Sequence, residues 1–342
     1  MYEIIAPQSN HANQSSDSYI NRYSPQIMKL VLPVILIFFS FYVTAQEREN
    51  TNVLILQDRE HHDTNLQAET FKAILQKSLE YHVDIIISTE QKRWYEHDLR
   101  FSNYDLVVTS SLGFEDLPNE PLKELKKFIV EGGGFVVVHQ GTAAYVDEPV
   151  FQELIGLGWY GSHTGSHISW NDETDDWEET PIYHGVAPAH GKQHEMVIDT
   201  RNTEHPVTMG LPLKWRHAMD EFYHGMRGNP ENVEILATAY SDKMMWGSGE
   251  HEPIAWTLEH GTGKVFVTVL GHVFNEENAN EIPGINSSEN GKKAIYCVGF
   301  QTLFARGAEW AATGKVTLAL PSNFPTEDQA IILPPTEVKW PK

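Results

Sequence analysis

The 342-residue chain carries 47 acidic against 25 basic residues, a formal net charge of −22, and is 41% hydrophobic and 11% aromatic. That balance argues against a nucleic-acid partner, because a phosphate backbone calls for a basic surface, and the apolar content excludes disorder over most of the chain. Cys297 is the only cysteine, so no internal disulfide can form and stability must come from a packed core.

The first segment reads as a targeting signal. Lys29 precedes the apolar run Leu30–Val43, and small residues at Val43 and Ala45 precede a polar stretch, which is the pattern of a secretory signal cleaved after Ala45. The run falls short of the ~20 residues that span a bilayer, so no stable membrane span is expected after cleavage. Met28 would make a more typical start, leaving the polar residues 1–27 as an extension; residues 1–45 together are assigned to the signal. The expected location is periplasmic or secreted.

From residue 51 the chain alternates strand and helix patterns. Val53–Leu56, Val83–Ile87, Leu106–Thr109 and Phe135–Val138 are short apolar, β-rich runs. Between the first two, Leu66, Phe71, Ile74, Leu75 and Leu79 recur at helical spacing. Pro121 opens a second helix, with Leu122, Leu125, Phe128 and Ile129 as its apolar stripe and Gly132–Gly134 as its stop. Near-continuous apolar strands separated by helices predict an α/β fold with a mostly parallel sheet covered on both faces. The stretch from Gly156 to His205 loses this regularity, holds six histidines and an acidic run, and reads as an irregular functional loop or insertion. Strands return near Glu234–Ala239, Ile254–Leu258 and Val265–Leu270, followed by one helix from about Lys292 to Ala312 in which Cys297 reads as a buried, inert thiol. Residues 51–320 are read as a single domain with an elaborated C-terminal half, and 321–342, rich in proline, as an irregular tail.

Five segments occur in an order that is specific as a set: Tyr104–Val108, Phe128–His139, His205–Pro212, Asp220–Tyr223 and Gly263–His272, joined by Gly307–Ala311. On these residues the chain resembles the ThuA-like family, over about residues 51–313. The resemblance implies a doubly wound, flavodoxin-like sheet related to the class I glutamine amidotransferases and a link to sugar metabolism. Those relatives need a cysteine on the turn after a central strand. The corresponding turn here is His139–Gln140–Gly141, so glutamine hydrolysis through a thioester is not expected and the fold alone is shared.

What remains is histidine and carboxylate chemistry. His61, His62, His139 and His272 each follow an apolar strand, and the carboxyl ends of parallel strands line the ligand crevice of such folds. Imidazole with carboxylate suits zinc or a similar divalent ion, which takes about three protein ligands and leaves a position open. No HExxH or CxxC fixes the set, so His61, His139, His163 and His272 are the expected metal ligands, with unmetallated acid/base histidines as the alternative. His139 and His272 are expected as base or ligand and Glu221 as the carboxylate partner. Gln140, Trp159, Trp170 and Tyr223 make up the expected ligand-binding set, the tryptophans stacking on sugar rings. The expected protein is an exported enzyme acting on a glycoside or oxidised keto sugar by hydrolysis or elimination; the alternative is a non-catalytic periplasmic sugar-binding protein. Its expected partner is a small carbohydrate. Removal of His139 is expected to cost turnover while sparing the fold.

Overall fold

The structure is a computed structural model, described here for residues 51–58, 62–89, 92–112, 119–273 and 291–341. The signal reading, residues 1–45, and His61 lie outside the described residues. Its first half follows the alternation of the sequence: β1 (Asn52–Gln57), α1 (Thr64–Leu79), β2 (His82–Ile87), β3 (Leu106–Thr109), α2 (Asn119–Val130), β4 (Gly134–Val138) and α3 (Pro149–Ile155). Asp63 starts α1 by accepting the Leu66 backbone N–H at 3.0 Å, which satisfies one of the orphan donors of the first turn.

The second half is richer in strands. It comprises β5 (Leu157–Gly158), β6 (Ser166–Asn171), β7 (Asp176–Thr180), β8 (Ala189–His190), β9 (His194–Thr200), β10 (Lys214–Asp220), β11 (Tyr223–His224), β12 (Arg227–Gly228), β13 (Glu234–Tyr240), β14 (His251–His260) and β15 (Gly263–Thr268). Two helices follow, α4 (Lys293–Tyr296) and α5 (Val298–Thr313).

One sheet runs in the order β10-β9-β13-β14-β15-β4-β3-β1-β2. The five strands from β15 to β2 are mutually parallel and form the flavodoxin-like part. The strands from β14 to β10 extend it antiparallel, which is the C-terminal elaboration. From β1 the chain crosses one way to β2 and the other way to reach β3 and β4, so right-handed crossovers place α1 and α2 on opposite faces. α1 packs with α5, and α2 with α3. Strands covered on both faces must be apolar throughout, and Val53, Leu54, Ile55, Val136, Val137 and Val138 are all fully buried. Each such side chain contributes roughly 1.5–3 kcal/mol of burial free energy.

Two sequence expectations change. The stretch from Gly156 to His205 is not irregular: β6 and β7 form an antiparallel ribbon, and β8 and β9 follow it. Its outer face stays in solvent, which explains a polar, acidic sequence that still makes strands. The expected helix from Lys292 to Ala312 is broken at Cys297, whose backbone is extended and bridges Ile332 of the tail. The neighbouring amides serve the same pairing, with Val298 N–H donating to Ile331 and Leu333 N–H to Tyr296. Nearly every side chain of α5 is buried, because the sheet lies on one side of it and residues such as Leu318 and Phe324 lie nearby in the following segment. Among the described residues, no helix is long and apolar enough to cross a membrane.

Candidate metal centre

Three strands of the parallel part, β15, β4 and β1, end at one edge and each is followed by one imidazole. His62 follows β1, His139 follows β4 and His272 follows β15. Their ring centroids form a compact triangle: His62 to His139 5.5 Å, His62 to His272 4.9 Å, and His139 to His272 5.0 Å. Glu221, just past β10, brings a carboxylate to the same point. Its Oε2 lies 3.8 Å from His139 Nε2 and 3.6 Å from His272 Nε2. One ligand atom from each of the four residues falls within 4.8 Å of all the others.

The protonation pattern favours an electrophile at the centre. His139 Nδ1 lies 2.6 Å from the Val269 carbonyl, which can only accept, so Nδ1 carries a proton and Nε2 is the nitrogen left to face the cluster. That Nε2 is buried and has no hydrogen-bond partner among the described residues. His139 also has φ +48°, a left-handed conformation uncommon outside glycine and characteristic of functional turns. Burial, with the nearby His139 next, pushes the His272 imidazole well below its ordinary range, so it stays neutral and able to ligate. Burial alone would raise Glu221, but the facing His139, His190 and His62 outweigh it and hold the carboxyl ionised. Three imidazoles and one carboxylate, around an Nε2 that is buried and has no partner among the described residues, make a donor set that fits a divalent ion.

A second layer fixes these groups. Asp220 is fully buried and accepts the Gly271 N–H at 2.8 Å, the His272 N–H at 3.2 Å and the Glu221 N–H at 2.7 Å. Its Oδ2 also meets His217 Nε2 at 2.7 Å. Burial opposes the charge on Asp220, yet the His217 contact outweighs it and keeps the carboxyl below its usual range. Asp220 thus pins the turn carrying His272 to the turn carrying Glu221. Gly271 permits that turn with φ +107°, which a side chain would strain.

His190 and Trp159 form the mouth. His190 is about half exposed, and its Nδ1 lies 3.2 Å from Glu221 Oε1. Trp159, half-buried, stands edge-on to Tyr223 at 4.9 Å and 6.0 Å from His190. Tyr223 lies over His139 at 4.2 Å; burial, then Glu221 and Asp220, raise its phenol far above the usual value, so it stays protonated.

Of the expected residues, the structure brings together His139, His272, Glu221, Tyr223 and Trp159. It adds His62 to the group; the expected His61 lies outside the described residues. His163 sits on an exposed turn with its ring against Gly161, outside the cluster. Gln140 is buried and engages Gln67, whose amide also donates to the Gly271 carbonyl, so it braces the strand ends. Trp170 lies in a separate groove with Trp177 and Arg201. His190 and Asp220 went unassigned in the sequence reading: His190 joins the site only through the two-residue pairing of β8 with β11, whereas Asp220 could have been marked as the neighbour of Glu221.

An α/β sheet with a histidine-carboxylate centre at its carboxyl edge defines the class. Within it, the profile of the ThuA family, described as trehalose utilisation, matches residues 52–282, and the chain belongs to that family. A ThuA-like protein from Parabacteroides merdae shares 37% identity, with 83% of this chain and 98% of that chain covered and a TM-score of 0.72. A ThuA-like protein from Bacteroides uniformis is 15% identical over 78% of this chain and 93% of that one, at a TM-score of 0.48. No curated protein matches the sequence.

Proposed function

We propose that the chain is an exported, metal-dependent enzyme acting on a glycoside or keto sugar by hydrolysis or elimination. The observation that carries the reading is the convergence of His62, His139, His272 and Glu221 on one point, with His139 Nε2 buried and unpartnered. The family's description supports a carbohydrate substrate, and the run from Lys29 to Ala45 supports export.

A divalent ion held by the three imidazoles would act as a Lewis acid on a sugar carbonyl or hydroxyl. The chain's own residues supply the remainder. Glu221, kept ionised by its imidazole neighbours, can take a proton, either from an attacking water or from the carbon beside a ketone. His190, in contact with Glu221 and open to solvent, can pass that proton to the departing glycosidic oxygen or to water. Trp159 offers an aromatic face at the entrance, where a sugar ring would stack.

Assaying purified protein against glucosides and 3-keto-glucosides, with and without chelator, tests the reading. Turnover that chelation abolishes and added divalent ion restores is expected. Saturable binding with no product would instead identify a sugar-binding protein, and chelator-insensitive turnover would leave plain acid/base chemistry.

A further inference from the structure

A second group of ligating side chains lies beyond the catalytic cluster. His167 on β6, Glu252 on β14 and Glu250 just before that strand place one ligand atom each within 4.8 Å of the others. His167 Nε2 is 2.9 Å from Glu252 Oε2, and His167 Nδ1 is 3.8 Å from Glu250 Oε2. His167 and Glu252 are both 1% exposed, whereas Glu250 is 44% exposed, so the group is a buried base with one side open to solvent.

The internal hydrogen bonds leave this group incomplete. Glu252 Oε2 also accepts the Gly225 N–H at 3.0 Å, but Glu252 Oε1 is buried and has no partner among the described residues. His224 lies close enough to feel the charges of Glu252 and His167, and its Nδ1 is likewise buried without a partner. The nearby guanidinium of Arg227 donates to the carbonyls of Gly165, His184 and Val186, while its buried Nε has no partner among the described residues and its charge acts on Glu252. His167, Glu250 and Glu252 bring one imidazole and two carboxylates together, a donor set that a divalent cation would suit.

We propose that His167, Glu250 and Glu252 form a second divalent-cation site of the zinc or manganese type, structural in role. It ties β6 to β14 and, through Gly225, to the turn between β11 and β12. That turn follows Tyr223 and so supports the wall of the catalytic crevice. Oxygen-rich ligation with one imidazole suits such ions better than a soft metal.

Metal-stripped protein titrated with zinc chloride in a calorimeter tests this. The wild-type chain should bind two equivalents. E252Q should bind one, keeping the three-histidine centre, and H272A should bind one, keeping the second site. E250Q alters a half-exposed side chain that the fold does not need, and should weaken the second event at least roughly tenfold. Wild-type stoichiometry and affinity in both E252Q and E250Q would overturn the proposal in favour of an imidazolium held between two carboxylates. Should E252Q not fold, E250Q alone decides on the same criterion. Zinc lost from E252Q but not from H272A would support this site while removing the catalytic one.

Discussion

His139 serves the site through both ring nitrogens, one held by the Val269 carbonyl and the other facing the cluster. H139A should therefore lower turnover by roughly 10²-fold or more. Because the residue is fully buried, it should also lower stability, contrary to the expectation from sequence that the fold would be spared. The Val269 carbonyl would lose its donor at a cost of about 1–3 kcal/mol. Urea denaturation alongside single-turnover assays separates the two effects. Asp220 makes a sharper case. D220N keeps the shape but removes the charge that faces His217 and the N–H groups of Gly271 and His272, leaving a buried imidazole without its counter-ion. Breaking such a pair costs about 3–5 kcal/mol, and the variant's denaturation midpoint should fall accordingly. An unchanged midpoint would mean that Asp220 does not hold the two turns together.

At the scale of elements, α5 is clamped between the sheet and the loop that joins β9 to β10. His205 in that loop packs edge-on against Trp310 at 4.9 Å, and its Nδ1 accepts the Val207 N–H at 3.2 Å, which requires a neutral ring. Burial lowers its pKa to about 4, with Glu259 pulling upward and Lys264 downward. An unfolded histidine near 6.5 binds protons more readily than this one, so the folded state is disfavoured as pH drops. The stabilisation is complete above about 6.5 and is lost as pH falls through about 4. His205→Gln should flatten that part of the stability profile relative to the wild type; identical slopes between pH 6.5 and 4 would refute the assignment. The elements themselves were unequally legible. β1, β3, β4 and β15 announce themselves as apolar runs because both faces are covered. β6 and β7 do not, since a ribbon exposed on one face can carry Asp176, Glu178 and Glu179 and still pair. The break at Cys297 was invisible because it depends on Ile332, distant in sequence.

Across the whole molecule, the centre is a product of topology. Parallel strands of one sheet, β15 beside β4 and β1 one strand beyond β3, bring His62, His139 and His272 to one edge, a placement the sequence implies once those strands are recognised. His61 lies outside the described residues, and neighbouring loop residues carry no periodicity from which the sequence could choose between it and His62. Glu221 arrives from β10, at the far margin of the sheet, and the Asp220 contacts to the turn at Gly271 and His272 tie it to that turn. The parallel core could thus be read directly, while the antiparallel extension that completes the site could be read only in part. The most direct test of the metal centre is anomalous diffraction from crystals of the zinc-loaded protein. A peak about 2.1 Å from a ring nitrogen of His62, His139 and His272, with Glu221 beside it, is the expected result. Full loading with no anomalous density among those three imidazoles would contradict the account.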